Sequence, residues 1–203
     1  MKVYPNIFSN NPVDRVSDLR SDPSWVEKTL NNEKTMICLF WRGKAFISKH
    51  KSIILDNSNP EQLSIQEGDL RQIVYSGGWQ WIDIDPYGSP IPFLDSAMQN
   101  LARKAILQVS ATDTAALCGT YPQVTRRRYA AYAVNDTVTH DTAIRILLGN
   151  IALCAAKHER SIEPLMSVFD GHHTRVSVLV TPGKKNASNV YENIGIKAFE
   201  ISA

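Results

Sequence analysis

Hydrophobic residues recur at helical spacing in two parts of the chain. Between Asp141 and His158 they fall every three or four positions, which predicts one long helix with a single buried face. Those positions are Ile144, Leu147, Leu148, Ile151, Cys154 and Ala155. Phe93, Leu94, Ala97 and Leu101 repeat in the same way, so a second helix is predicted over Phe93–Lys104.

Short apolar runs accompany these helices and predict strands. Two of them, Trp79–Ile84 and Ala105–Ala111, read as buried strands of a sheet. Two more, Leu165–Phe169 and Thr174–Val180, flank Asp170-Gly171, a pair of residues typical of hairpin turns. Alternating strands and helices that end in a hairpin predict an α/β sheet with an antiparallel edge.

The first 55 residues follow a different pattern. A helix is predicted to begin at Asp22-Pro23, where a capping side chain precedes a proline. Strands are predicted at Met36–Trp41, at Ala45–Ile47 after a turn at Arg42–Lys44, and at Ile53–Leu55, followed by a loop over residues 56–61. We therefore expect a small β-rich unit over residues 1–61 and a partial α/β domain over residues 62–203.

Composition narrows the class of protein. The chain has 203 residues, a net charge of +2 and three cysteines that form no CxxC pair. A disulfide framework or a metal site is therefore not expected, and His172-His173 is assigned to a hairpin tip because neighbouring strand residues point to opposite faces. No apolar run reaches the ~20 residues of a membrane span, and no signal peptide is recognised. We expect a soluble cytoplasmic protein with no metal and no membrane partner.

One segment, Asp85-Pro86-Tyr87-Gly88, has a composition typical of a binding site. It follows a predicted strand, and ligands of α/β sheets lie beyond the carboxyl ends of the strands. Pro86 has no N–H and stiffens the turn, while Tyr87 offers a flat face beside the Asp85 carboxylate. This combination suits a planar group that carries an exocyclic amine.

Such a site has a defined chemistry. An aromatic amine is a poor nucleophile because its lone pair is delocalised into the ring. A carboxylate at Asp85 and a carbonyl near Pro86 would localise that lone pair by accepting hydrogen bonds from both N–H groups. They would also stabilise the positive charge that develops on the nitrogen during transfer. The same four residues also fit a simple strand-to-helix turn with a capping aspartate, and the segment alone does not decide between the two.

The longer string over residues 83–97 resembles the motif of the tRNA (guanine-N2) dimethyltransferases. These enzymes methylate a tRNA guanine with S-adenosylmethionine. The resemblance spans residues 67–197 and includes Thr112–Leu117, Arg126–Tyr129, Arg145–Gly149, Glu163–Leu165 and His172–Val176. It implies a Rossmann-like methyltransferase sheet, S-adenosylmethionine as cofactor and tRNA as partner.

The resemblance also implies roles for individual residues. Asp85, Pro86 and Tyr87 would be catalytic, with Asp85 also at the cofactor and Tyr87 stacking on the base. Asp69 would contact the cofactor's adenine. The substrate side would be formed by Thr112 and Asp113 and by the basic stretch Arg126, Arg127 and Arg128.

Residues 10–55 resemble instead the N-terminal domain of the Nudix NADH pyrophosphatases. The similar residues are Asn11–Arg15, Asp22–Trp25 and Phe40–Lys44, but the glutamate-rich Nudix box is absent from the sequence. Residues 1–66 contain a single glycine, Gly43, which lies in the predicted hairpin turn. The glycine turn that would hold the cofactor is therefore expected to be missing, and another chain is expected to supply it. Three hypotheses remain open: a tRNA methyltransferase, a non-catalytic RNA-binding fragment, and a Nudix-related module.

Overall fold

The structure is a computed structural model. It describes residues 69–195, with the exception of the Ser76 side chain, and the backbone of four strands at residues 2–4, 36–40, 44–48 and 63–67. The predicted helix at Asp22-Pro23, the predicted strand at Ile53–Leu55 and the predicted loop over residues 56–61 lie outside the described residues.

The described strands form one mixed sheet. In chain order they are β1 (Lys2–Tyr4), β2 (Met36–Phe40), β3 (Lys44–Ser48), β4 (Leu63–Glu67), β5 (Trp79–Asp85), β6 (Leu101–Ala111), β7 (Arg160–Phe169) and β8 (Thr174–Pro182). Across the sheet their order is β1-β7-β8-β6-β5-β2-β3-β4. Strands β2, β5 and β6 are parallel, and β8 pairs antiparallel with both β6 and β7. The predicted α/β fold with a C-terminal hairpin is confirmed.

Seven helices belong to the described part of the chain. They are α1 (Leu70–Ile73), α2 (Ile91–Asn100), α3 (Thr114–Leu117), α4 (Pro122–Tyr129), α5 (Thr139–Lys157), α6 (Lys184–Ser188) and α7 (Val190–Asn193). A short 3₁₀ turn over Val74–Ser76 continues α1. Helix α5 confirms the predicted long helix, and its apolar face is buried as the spacing required, from Ala143 to Ala155. None of the helices in the described ranges is long and apolar enough to cross a membrane.

Helix α2 ends earlier than the sequence predicts. We expect a helix to Lys104, but Leu101 already belongs to β6, where it pairs with Trp79. Arg160 donates hydrogen bonds to the carbonyls of Leu101 and Ala102 at 2.7 and 2.8 Å. Residues 101–104 have good helical propensity, but sheet pairing and these two hydrogen bonds outweigh it.

The closing hairpin matches its prediction in position and exceeds it in length. Strands β7 and β8 include the predicted segments and extend them at the open end of the hairpin. In the turn, Asp170 Oδ1 accepts the amides of His172 and His173 at 2.9 and 2.8 Å, and Gly171 adopts φ +100°. A glycine suits this backbone conformation because a side chain there would be strained.

The N-terminal strands extend the same sheet. Strands β2 and β3 pair antiparallel, which confirms the predicted hairpin, and β2 lies parallel to β5 with Phe40 opposite Asp85. The boundary at residue 61 stays a prediction, as does the assignment of residues 1–61 to a separate unit.

Candidate active site

The carboxyl ends of two neighbouring parallel strands meet at one edge of the sheet. Strand β5 ends at Asp85 and β6 ends at Ala111, which pairs with Thr174 at the start of β8. The loops after β5 and β6 and the turn of the β7–β8 hairpin therefore converge at this edge. Thr114 Oγ1 reaches the carbonyl of Gly171 at 3.4 Å, which joins two of these segments. This is the edge at which α/β sheets bind ligands.

The turn after β5 is held to the loop after β6. The Gly88 amide donates to Thr112 Oγ1 at 2.6 Å, and the Thr112 amide donates to the Gly88 carbonyl at 3.1 Å. Gly88 has φ +91°, and the space around a Cβ added there is open, so the backbone conformation is what favours glycine. The structure thus brings Thr112 against the Asp85–Gly88 turn.

Within this turn, buried and exposed residues alternate. Pro86 is buried and Asp85 is half-buried, with about a third of its side chain exposed. Tyr87 is 75% exposed, so most of its surface faces solvent at the same edge. A carboxylate and an open aromatic face are therefore neighbours on a rigid loop, an arrangement that can hold a planar group by stacking and hydrogen bonding.

Arg175 of β8 lies beneath the turn, on the same face of the sheet as Asp85. Its Nη2 atom donates to Asp83 Oδ2 at 2.6 Å. Its Nη1 atom donates to Ser110 Oγ at 2.8 Å and lies 3.6 Å from Asp85 Oδ2. The arginine and the two aspartates carry a net charge of −1 when all are ionised.

Burial raises the pKa of Asp83 above its usual range. The Arg175 guanidinium opposes this effect, and the neighbouring Asp85 adds to it. Asp83 Oδ1 has no hydrogen-bond partner among the described residues. Sequence reasoning gave neither Asp83 nor Arg175 a role, although Asp83 and Asp85 must share a face of β5 because they are two residues apart.

Asp113 is the second acidic residue at this edge. Its carboxylate accepts hydrogen bonds from Arg128 Nη1 at 2.9 Å and from the Tyr129 hydroxyl at 2.5 Å. Tyr129 is buried, and its pKa lies far above the usual value because of burial and the Asp113 carboxylate. The structure therefore joins Asp113 and Arg128, two predicted site residues, through a direct ion pair.

The three consecutive arginines do not form one cluster. Successive helical residues are rotated by about 100°, so Arg126, Arg127 and Arg128 leave α4 in different directions. Arg126 lies over the ring of Tyr132, 5.2 Å from its centroid, and Tyr132 is 75% exposed. Arg127 is exposed, and only Arg128 turns to Asp113.

Asp69 lies apart from these residues. It caps the N-terminus of α1, where it accepts the Arg71 amide at 2.9 Å and pairs with the Arg71 guanidinium at 2.7 Å. The hydrogen bonds from Arg71 lower the pKa of Asp69. Strand β4, which precedes Asp69, runs parallel to β5 three positions away in the sheet, a separation of roughly 14 Å.

At the hairpin turn, His173 contacts an acidic residue of the same turn. His173 Nδ1 lies 2.8 Å from Asp170 Oδ2, while Asp170 Oδ1 accepts two backbone amides. This arrangement agrees with the hairpin-tip assignment made from the sequence.

Comparisons with known proteins identify the family. The family model described as "N2,N2-dimethylguanosine tRNA methyltransferase" matches residues 43–200. Curated proteins named tRNA (guanine(26)-N(2))-dimethyltransferase are similar to this chain: that of Thermoplasma acidophilum is 41% identical over 145 residues, and that of Pyrococcus furiosus is 34% identical over 157 residues. These matches cover 70% and 77% of this chain but 42% and 39% of the relatives.

A solved structure agrees with these matches. Trm1 from Pyrococcus horikoshii, in complex with S-adenosyl-L-methionine, superposes with a TM-score of 0.62 at 31% identity. The match covers 74% of this chain and 38% of that chain, so this chain spans less than half the length of the relatives it matches. The resemblance of residues 10–55 to Nudix proteins has no support among these matches, and the family model already begins at residue 43. Because the model matches more than half of the sequence, the chain belongs to the N2,N2-dimethylguanosine tRNA methyltransferase family.

Proposed function

We propose that this chain carries the catalytic edge of a tRNA guanine-N2 methyltransferase that uses S-adenosylmethionine. The observation that carries the proposal is the Asp85–Gly88 turn. It carries a carboxylate with about a third of its side chain exposed beside an exposed aromatic ring, and Thr112 fixes the turn at the carboxyl edge of two parallel strands.

The chemistry assigned to the turn concerns the guanine amine. Asp85 Oδ and the Pro86 carbonyl accept the two N–H groups, which localises the nitrogen lone pair toward the methyl donor. As the new N–C bond forms, positive charge develops on nitrogen, and the preoriented carboxylate stabilises that charge and takes the proton. Tyr87 stacks on the base and fixes its plane, which contributes roughly 1–3 kcal/mol.

The charges beneath the turn fit the cofactor. Bound S-adenosylmethionine supplies a methyl group on a positively charged sulfonium. The net negative Arg175–Asp83–Asp85 cluster, with Asp83 Oδ1 unpartnered among the described residues, suits a cation near the edge. Asp69, beyond the same edge of the sheet, is the residue proposed for the adenine end.

The substrate side is proposed from the same edge. Thr112 and Asp113 follow β6 beside the turn, and Arg128 is tied to Asp113 at 2.9 Å. Arg126, Arg127 and the exposed Tyr132 extend this surface with positive charge and an aromatic face, the groups that contact RNA phosphates and bases. The relatives' names supply the substrate, a tRNA guanine. The thiols of Cys118 and Cys154 are free, which fits a reducing compartment such as the cytoplasm.

Methyl transfer to tRNA tests the proposal. The purified chain, supplied with labelled S-adenosylmethionine and unmodified tRNA, is expected to label the guanine amine, and Asp85→Asn is expected to lose at least a hundredfold in rate. Glu192→Gln is the control, because it removes an exposed carboxylate from α7, away from the turn after β5, and leaves Asp85 intact. Equal labelling by Asp85→Asn and wild type would remove Asp85 from the mechanism. No labelling by the wild type would favour the non-catalytic RNA-binding alternative for this chain.

A further inference from the structure

Helices α2 and α5 bring together three side chains that the proposed reaction does not use. The oxygen of Asp95, the sulfur of Cys154 and the ring nitrogen of His158 all lie within 4.8 Å of one another. Cys154 lies in the last turn of α5 and His158 is the residue that caps its C-terminus, four positions later, so the two side chains lie on the same side of the helix end. His158 Nε2 lies 2.8 Å from Asp95 Oδ1, although the two residues are 63 positions apart in the chain.

The aspartate is oriented by residues behind it. Gln99 Nε2 donates to Asp95 Oδ2 at 2.7 Å, and Gln99 Oε1 in turn accepts the Tyr75 hydroxyl at 3.0 Å. One oxygen of Asp95 is therefore held by an outer hydrogen-bond chain, while the other, Oδ1, faces His158. Outer hydrogen bonds of this kind orient the ligands of protein metal sites.

The distances are close to those that a tetrahedral ion requires. Ligand atoms about 2.0–2.3 Å from a zinc ion are separated by roughly 3.3–3.7 Å. The distance between His158 Nε2 and Asp95 Oδ1 would need to increase by about half an ångström, and the Cys154 sulfur, which lies within 4.8 Å of both atoms, would need to approach by about one ångström at most. Side-chain rotation supplies movements of this size without shifting either helix.

We propose that Asp95, Cys154 and His158 bind a divalent cation of the zinc class. Sulfur, imidazole nitrogen and carboxylate oxygen together are the donors that Zn²⁺ takes, whereas Mg²⁺ and Ca²⁺ take oxygen ligands. On binding, the cation replaces the His158–Asp95 hydrogen bond, and the Cys154 thiol proton passes to solvent. Three protein ligands leave a fourth position for water.

The surroundings agree with this assignment. Helix α2 begins directly after the Asp85–Pro90 loop, so the cation would tie the element that follows the candidate active site to the long helix α5. The site would therefore stabilise this part of the fold and would take no part in methyl transfer.

Cobalt titration of the purified, metal-free chain tests the proposal, because Co²⁺ replaces Zn²⁺ and gives a thiolate-to-metal absorption band. One equivalent is expected to bind with that band, Zn²⁺ should displace it, and the melting temperature should rise. Cys154→Ser is expected to lose the band, and His158→Gln to weaken binding at least tenfold. Gln99→Ala should weaken binding roughly 10- to 100-fold, since it removes the outer hydrogen bond.

Cys118→Ser is the matched control, because Cys118 is the other described cysteine and lies at the opposite end of α5, where its carbonyl accepts the Thr139 hydroxyl. It should keep the band. A band that survives in Cys154→Ser, or that disappears in Cys118→Ser, would overturn the assignment, as would a wild-type chain that binds no Co²⁺ at a tenfold excess. Circular dichroism of each metal-free variant checks its fold, and His158→Gln decides the question if Cys154→Ser does not fold.

Discussion

Gly88 and Thr112 exchange two hydrogen bonds across the edge of the sheet, although they lie 24 positions apart in the chain. The Gly88 amide donates to Thr112 Oγ1 at 2.6 Å, and the Thr112 amide donates to the Gly88 carbonyl at 3.1 Å. The exchange fixes the far end of the turn that carries Asp85 and Tyr87. The two side chains are thus placed before any ligand arrives, which is what electrostatic preorganisation requires.

The first prediction concerns this pair. Thr112→Val keeps the shape of the side chain but removes the acceptor of the Gly88 amide, so the free energy of unfolding should fall by about 1 kcal/mol. The rate of methyl transfer should also fall, by more than the loss of folded protein explains, because the turn that carries Asp85 becomes less firmly held. Thr112→Ser keeps the hydroxyl and should behave like the wild type. Denaturant unfolding measures the stability and the transfer assay measures the rate. Equal stability and equal rate in the valine and serine variants would contradict a role for the hydrogen bond between the Gly88 amide and the Thr112 hydroxyl.

Asp83 provides a prediction about pH. Its pKa is raised in the folded state, so the folded chain binds this proton more tightly than the unfolded chain does. Its contribution to stability is therefore complete below pH about 4 and is lost as the pH rises through the raised pKa. Asp83→Asn should remove this pH-dependent loss, whereas Glu192→Gln, which removes an exposed carboxylate, should not. Unfolding curves across the acid range decide between these outcomes.

Arg175 should matter more for stability than a surface arginine does. It is the ion-pair partner of Asp83, and their side chains are 22% and 11% exposed. Arg175→Met leaves a buried carboxylate unpaired and should lower the free energy of unfolding at neutral pH by about 3 kcal/mol. Arg127→Met, at an exposed position on α4, should change it by less than about 0.5 kcal/mol. If the two variants unfold at the same denaturant concentration, the Arg175 pair contributes nothing.

Two variants of Tyr87 distinguish the contribution of its ring, by stacking, from that of its hydroxyl, by hydrogen bonding. Tyr87→Phe keeps the ring and should retain transfer, whereas Tyr87→Ala loses the stacking surface and should weaken binding of the target guanine by roughly 5- to 150-fold. Because Tyr87 is 75% exposed, neither variant should change the melting temperature appreciably. The Michaelis constant for tRNA is the quantity to compare, and equal constants for the two variants would exclude stacking.

The arginines of α4 should differ in their contacts with RNA. If Arg126 and Arg127 reach phosphates, each glutamine variant should lower the slope of log affinity against log salt by about 0.7 to 0.9. Arg128→Gln should in addition destabilise the fold, because it breaks the ion pair with Asp113. Filter binding of tRNA over a salt series makes the comparison. Unchanged slopes for the Arg126 and Arg127 variants would place the RNA on another surface.

The sequence predicts local features of this molecule well and distant pairings poorly. Strand β5, its Asp-Pro-Tyr-Gly turn, helix α5 and the Asp170-Gly171 hairpin all follow from short-range patterns, and the structure contains each of them. The Arg175–Asp83 ion pair joins residues 92 positions apart, and no spacing in the sequence indicates it. The end of α2 differs from its prediction for a related reason, since sheet pairing and the hydrogen bonds from Arg160 determine where β6 begins.

The basic stretch shows a second limit. Three consecutive arginines suggest one patch, but the helical rotation of α4 sends Arg128 to Asp113 and Arg126 to Tyr132. Asp113 and Tyr129 could be assigned to the same neighbourhood only once α3 and α4 were placed against each other. Which groups share a site therefore depends on packing, whereas which loops reach the edge of the sheet could be predicted from the strands.

Calorimetric titration of the purified chain with S-adenosylhomocysteine tests the central claim most directly, because it asks whether this edge of the sheet holds the demethylated cofactor. The account predicts one site with micromolar affinity, weakened at least tenfold in Asp85→Ala and unchanged in Glu192→Ala. The absence of binding at millimolar ligand, or equal affinity in all three proteins, would contradict it.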